Sequence, residues 1–225
     1  MSGKVVLDLG CGQGETSVIL AQQGAIVSGI DIGENLIELS RRVAEVNEVE
    51  CAFTVGSIHA LPYENDSFDQ VVGLAILHHL NEEGILVSLS EAHRVLKPGG
   101  SATFLEPVEN CKLFDKIQSV IPVGTPGDSQ YRPSILQRGK WAKFVEEADD
   151  RPLTERELRN AGSIFDEINI EYHEWLVRLS RVIPGVFAES VFRVVDLLLT
   201  HRYSPVKKLS RLVVVEYKKT KNQTL

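Results

Sequence analysis

The sequence predicts an α/β protein built on a doubly wound, mostly parallel sheet of seven strands with helices on both faces. Through the first 105 residues, short apolar runs alternate with segments of helical spacing. The connections between them are short, as parallel strands joined by crossover helices require. The apolar runs are also nearly unbroken, which suits strands covered on both faces.

Each element has its own warrant. Val5–Leu9 is a strand by apolar continuity and length, and Glu15–Gln23 has helix spacing and stops at Gly24. Ala25–Ile30 is the second strand, and Asn35–Asn47 is a helix with Leu36, Leu39, Val43 and Val46 on one stripe. Cys51–Val55 and Gln70–Ala75 are the third and fourth strands, separated by a turn-rich loop at Leu61–Ser67. Glu83–Leu96 is helical and is stopped by the turn Lys97-Pro98-Gly99-Gly100 before a fifth strand at Ser101–Leu105.

After Pro107 the rhythm breaks. Asn110–Ile121 and Lys140–Ala148 read as helices around a Pro/Gly-rich loop, and Thr154 with Glu157 forms a capping-box pattern that starts another. Ile164–Tyr172 alternates like a sixth strand and Leu212–Tyr217 reads as the seventh. Between them, an apolar stretch broken at Pro184-Gly185 gives two helices.

Composition narrows the classes. A chain of 225 residues, 43% hydrophobic and 24% charged, can bury one full core. No apolar run reaches spanning length and no leader pattern opens the chain, so a cytoplasmic location is expected. Cys11, Cys51 and Cys111 are far apart and form neither a disulfide framework nor a zinc pattern; no metal is expected. A net charge of -7 argues against a nucleic-acid partner. Residues 201–225 carry seven Lys/Arg against Glu216 alone, a solvated basic end or a contact for an anionic membrane surface.

The stretch VVLDLGCGQG, residues 5–14, carries the functional signal. In an open parallel sheet, ligands bind beyond the carboxyl ends of the strands. Glycines there let the backbone approach a ligand, and the following helix turns free N–H groups toward it. A dinucleotide fingerprint, G-x-G-x-x-G, would need glycine where Glu15 stands. Here Asp8 precedes Gly10, Gly12 and Gly14, and a carboxylate beside the bend suits a cationic ammonium better than a pyrophosphate. Asp31, ending the second strand, is positioned for the two hydroxyls of a ribose.

VVLDLGCGQG, then GIDI, then LPYENDSFDQVVGLAILHHL, then EAHRVLKPGG resemble the successive signatures of class I S-adenosylmethionine-dependent methyltransferases. The small-molecule branch, with its ubiquinone/menaquinone-biosynthesis type, is the part of the family they resemble. The likeness spans residues 4–107. It implies a Rossmann-like sheet whose last strand is antiparallel, with helical insertions after strands 5 and 6. It also implies a single domain, 1–225, with a cofactor-binding half at 1–107 and a substrate-side half at 108–225 that carries a helical insertion near 176–205.

The resemblance further implies S-adenosylmethionine as cofactor. Asp8, Gly10 and Gly12 would lie along its methionine portion with Cys11 adding backbone contacts, and Gly14 would complete the bend. Asp31 would take the ribose hydroxyls and Ile32 would pack on adenine. Family members have Asp where Ser57 stands, beside Ile58, so a weaker or shifted adenine contact is expected. Leu74 and Ala75 would offer carbonyls to the amino group. Relatives also carry one or two helices ahead of the first strand, whereas Met1-Ser2-Gly3 leads straight into it, so a trimmed start or a more open site is expected.

Methyl transfer needs alignment and exclusion of water, and a hydroxyl acceptor also needs a base. His78 and His79 follow the fourth strand on the ligand edge and are the candidate bases; Glu106, ending the fifth, would orient a histidine or bind substrate. Tyr131, Arg132 and Trp141 are candidates for reading the substrate; His59 and His93 read as loop and helix residues. In Val186–Thr200, Glu189, Arg193 and Asp196 form one polar stripe on an apolar helix, which packs internally or lines a pocket for a hydrophobic acceptor. The expected reaction is methylation of a small, apolar molecule, on oxygen before carbon. The alternatives are C-methylation in an isoprenoid or quinone pathway and a non-catalytic cofactor-binding module.

Overall fold

The computed structural model describes residues 1–108, 151–173 and 212–220. The chain divides into two compact units, and the described residues belong almost entirely to the one made of Met1–Pro107, Asp149–Glu171 and Val214–Leu225. Tyr131, Arg132, Trp141, Cys111, the helices expected at 110–121 and 140–148, and the apolar and basic stretches at 176–211 lie outside the described residues.

Seven strands form one sheet: β1 (Val5–Leu9), β2 (Ile26–Asp31), β3 (Cys51–Val55), β4 (Phe68–Leu74), β5 (Leu96–Pro107), β6 (Glu167–His173) and β7 (Leu212–Lys218). Their order is β3-β2-β1-β4-β5-β7-β6. The pairs β1–β2, β2–β3, β1–β4 and β4–β5 are parallel. β7 is antiparallel: the N–H of Gly99 at the start of β5 donates to the Lys219 carbonyl just past the end of β7 at 2.7 Å, and Lys219 donates back to Gly100 at 3.0 Å.

Helices α1 (Glu15–Gln22) and α2 (Glu34–Val46) carry the chain one way from β1; α3 (Glu82–Val95) carries it the other way from β4. Right-handed crossovers in opposite directions put helices on opposite faces and leave a switch point between β1 and β4. The core follows the apolar strands: Val6, Leu7 and Leu9 of β1, Val71 of β4, Phe104 of β5 and Val213, Val215 and Tyr217 of β7 are fully buried. No helix among the described residues is long and apolar enough to cross a membrane.

Local rules explain most boundaries. α1 ends in a Schellman arrangement, with Gly24 at φ 87°, its N–H on Ala21 and that of Ala25 on Leu20. α4 (Glu155–Ala161) opens with the full capping box, Thr154 Oγ1 accepting from the Glu157 N–H while Glu157 accepts from the Thr154 N–H.

Two boundaries and one buried face differ from expectation. The Lys97-Pro98-Gly99-Gly100 stretch does end α3, but it is a bulge inside β5: β4 pairs Phe68 with Leu96 and then Gln70 with Ser101. Lys97 holds it with an ion pair to Asp69 at 3.2 Å. The start of the expected sixth strand is a 3-10 turn, Gly162–Ile164, because the bare face of Gly162 lies against the Tyr217 ring. In α2 the buried positions are Ile37, Ser40 and Ala44, whereas Leu39 and Val46 of the expected stripe are exposed.

Candidate active site

The bend between β1 and α1 uses each glycine differently. Gly10, Gly12 and Gly14 all have left-handed φ, at 66°, 51° and 83°. A Cβ on Gly10 would stand 2.5 Å from Ile76 Cδ1, and one on Gly14 would stand 2.7 Å from Ser40 Cβ of α2. These two are bare so that neighbouring elements can approach. A Cβ on Gly12 would meet nothing within 4 Å and would enter open space. Of the three, Gly12 is the one whose bareness leaves room for a ligand.

The bend differs from a phosphate loop. The N–H groups of Gly10 and Cys11 both donate to the Ile30 carbonyl, at 2.8 and 3.1 Å, and that of Gly14 donates to Cys11 at 2.8 Å. Gly12 donates to Asp31 Oδ2 at 3.0 Å. These four bend donors are consumed inside the turn, including that of Cys11, whose backbone was expected to contact the ligand. The bend offers shape in place of an anion cradle.

Its charge is negative. Asp8 is buried and accepts the Ser17 hydroxyl at 2.6 Å. Burial pushes its carboxyl up to about 6, against the lowering effect of Ser17, and the nearby Asp31 carboxylate pushes the same way. Burial also pushes the Cys11 thiol up to about 12, so it is a small, inert neighbour. Asp31 accepts from Gly12 and, at 2.8 Å, from the Gly33 N–H; each oxygen keeps a further lone pair.

A cleft of about 280 Å³ opens here. Its wall contains the expected Asp8, Gly10, Cys11, Gly12 and Leu74, together with Gln13, Glu15 and Thr16, which motif reading passed over. Their signal was positional: Gln13 lies between two of the glycines, and Glu15 and Thr16 open α1. Gly14, Asp31, Ile32, Ser57, Ile58 and Ala75 lie outside this wall. Ile32 is 80% exposed beside Asp31, and Leu74 is half exposed at the end of β4. Ser57 Oγ accepts the His59 N–H at 3.2 Å, and Ile58 is buried. Ala75, at φ 52°, donates its N–H to Leu105 at 2.8 Å.

The catalytic candidates form a second cluster beyond β4. A 3-10 turn, Leu77–His79, follows that strand. Glu106 is fully buried and accepts the N–H groups of Ile76, Leu77 and His78 at 2.9, 2.8 and 3.3 Å. His78 Nδ1 lies 2.9 Å from Glu106 Oε2. His78 is 7% exposed, whereas His79 is exposed, its ring centroid 4.0 Å from that of His78. The structure thus unites His78 with Glu106 and leaves His79 at the surface. His59 and His93 are elsewhere; His93 stacks edge-on with Phe165.

The residues present fit a cationic nucleoside cofactor. Among the described residues the cleft wall holds two carboxylates and no Lys, Arg or His, and the open space over Gly12 is where a side chain is missing. A sulfonium amino acid meets both conditions, whereas a pyrophosphate would set its negative charge against the carboxylates.

Comparison with known proteins agrees. Residues 6–100 match the Methyltransferase domain family. The chain is 30% identical over 183 residues to the ubiquinone biosynthesis O-methyltransferase of Pseudomonas entomophila (strain L48), covering 76% of this chain and 77% of that one. It is 27% identical over 180 residues to the protein of that name from Coxiella burnetii (strain RSA 331 / Henzerling II), covering 76% of each. Among solved structures, a SAM-dependent methyltransferase from Methanosarcina mazei matches with a TM-score of 0.61 at 22% identity, over 99% of this chain and 95% of that one. With a glycine bend that leaves space for a ligand, an anionic cleft and this sheet order, the chain belongs to the small-molecule branch of the class I S-adenosylmethionine-dependent methyltransferases.

Proposed function

We propose that the chain methylates a hydroxyl of a small, apolar acceptor such as a quinone precursor, natural product, lipid or glycoside. In this reading the methionine end of the cofactor lies along Asp8, Gly10 and Gly12, its ribose on Asp31, and its adenine near Ile32, Ser57 and Ile58. Leu74 and Ala75 face its amino group. S-Adenosylmethionine supplies the electrophilic methyl group, so the chain has to align an acceptor and take its proton.

The observation that carries this reading is the His78–Glu106 pair at 2.9 Å, on the loop after the strand whose end lines the cleft. Glu106 accepts, so Nδ1 carries the hydrogen, as in an imidazole oriented by a buried carboxylate. Glu106 is a positioning residue, because a fully buried group with these donors around it does not reach a substrate. The names of the curated relatives support oxygen as the acceptor atom and a quinone-type skeleton.

The test is transfer of a labelled methyl group from S-adenosylmethionine to a panel of phenols, catechols and prenylated phenols by wild type, His78→Ala and His79→Ala. Loss of one base lowers kcat by about 10²–10⁴ and flattens the pH profile near neutrality. Unchanged rates in both variants discard the histidine base. Label on carbon discards the O-methylation reading.

A further inference from the structure

We propose that Arg151 is a positioning residue for His78: its guanidinium, held by Glu157, fixes a short segment whose N–H groups join the His78 turn to the end of β5. Its part in catalysis rests on the reading of His78 as the base. Arg151 donates its N–H to the His78 carbonyl at 3.4 Å, and Leu153 donates its N–H to the Pro107 carbonyl at 3.0 Å. Pro107 ends β5 and follows Glu106 directly. Residues 151–153 therefore tie together the residue that carries the imidazole and the neighbour of the carboxylate that orients it.

The residues suit that task. Donors two positions apart fall on one side of an extended chain. Pro152 between them has no N–H to leave unpaired, and it disfavours helical backbone at Arg151. Leu153 is fully buried, which pins the far end. The near end has the weaker link, because 3.4 Å is long for an N–H donor. There the side chain supplies what the backbone lacks: Arg151 Nη2 lies 2.6 Å from Glu157 Oε1, and the Glu157 side chain is only 12% exposed. Glu157 Oε2 accepts the N–H and the hydroxyl of Thr154 at 2.8 and 2.7 Å, so the carboxylate that receives Arg151 is itself fixed at the start of α4. Burial pushes the Glu157 carboxyl up, but Arg151 and Thr154 outweigh it and hold it at about 2, so the ion pair persists through the neutral range. His78 is thus gripped twice, its N–H and ring nitrogen by Glu106 and its carbonyl by Arg151. A base that shifts with its backbone loses rate without losing substrate affinity.

The experiment compares the full chain as wild type, Arg151→Ala, Arg151→Lys and His78→Ala, with thermal melts to verify the fold. Nitrogen–proton NMR of histidine-labelled protein reads the His78 ring, assigned by its disappearance in His78→Ala. Rates are measured with labelled S-adenosylmethionine and the phenol and catechol panel. Wild type should show His78 as one Nδ1–H tautomer. Arg151→Ala should give mixed tautomers and a kcat lower by about ten-fold, with KM changed by less than about two-fold. Arg151→Lys keeps a cation for Glu157 and should restore the single tautomer and most of the rate. Should Arg151→Ala not fold, Glu157→Gln loosens the same grip, keeps acceptor capacity for Thr154 and should give the same mixed tautomers. A variant that melts earlier with the His78 signal and kcat unchanged shows a role in the fold alone and overturns the proposal. A wild-type rate in His78→Ala, or a panel in which nothing is methylated, counts against the proposed function; the ring signal then decides alone, with mixed tautomers supporting the role of Arg151 and an unchanged signal overturning it.

Discussion

Two buried carboxylates sit at the carboxyl edge of the same sheet, and their surroundings are opposite. Glu106 is met by three backbone N–H groups and an imidazole nitrogen. Among the described residues Asp8 is met by Ser17 alone, and burial outweighs what Ser17 returns. The first carboxylate is a finished piece of structure that holds a loop and a histidine. The second is left short of partners, which costs the protein stability whenever Asp8 is ionised, and a bound cation is what would repay it.

The largest test of that contrast removes the finished one. Glu106→Ala strands three N–H groups and a ring nitrogen in the interior, and urea denaturation should show a loss of about 3–5 kcal/mol. Glu106→Gln keeps acceptor capacity and should lose less. An equal, small loss in both would mean that the loop does not depend on the carboxylate.

Asp8→Asn should do the reverse. A carboxyl raised from 3.8 to about 6 on folding leaves the folded state at full advantage below pH 4 and loses that advantage as pH rises through 6. Above pH 7 the cost is about 3 kcal/mol, so Asp8→Asn should stabilise the ligand-free protein by up to that amount at pH 8 and little at pH 4. The same variant should bind S-adenosylmethionine at least about ten-fold more weakly. Stabilisation at every pH, or none at pH 8, would break the comparison.

The glycines sharpen it further. Gly14→Ala drives a methyl into Ser40 and should cost about 2 kcal/mol or more in melts. Gly12→Ala meets no atom and should cost only about 1 kcal/mol for its backbone angle, yet block the cofactor. The smallest effect expected is at the end of α2, where Glu48 takes the left-handed closing position at φ 55° with its N–H on Glu45 and that of Val49 on Ala44. Glu48→Gly should stabilise by about 0.5–1 kcal/mol.

These residues also divide what the sequence makes legible from what it hides. The glycine bend, Asp8 and Asp31 are readable because their spacing is local: ten residues fix a turn, and one strand length fixes the acid beyond it. The strand order follows from short connections and handedness. The stripe on α2 misled because Gly14 draws Ser40 in, a contact between residues 26 apart that turns Leu39 outward. Glu106 was legible as a partner for a histidine; its grip on three N–H groups was not, because those groups belong to a loop some 30 residues earlier. Lys219 is the extreme case. Its ammonium pairs with Asp66 and donates to the carbonyls of His93 and Leu96, closing the end of α3 from just past β7, more than a hundred residues away.

The claim on which the rest depends is that a cation binds over the glycine bend against an ionised Asp8. Calorimetric titration of the wild-type protein with S-adenosylmethionine between pH 5 and pH 7 tests it directly. Affinity should rise about ten-fold across that range, with a buffer-dependent enthalpy showing proton release near pH 6 that disappears in Asp8→Asn. An affinity that is flat with pH, and the same in Asp8→Asn, would contradict it.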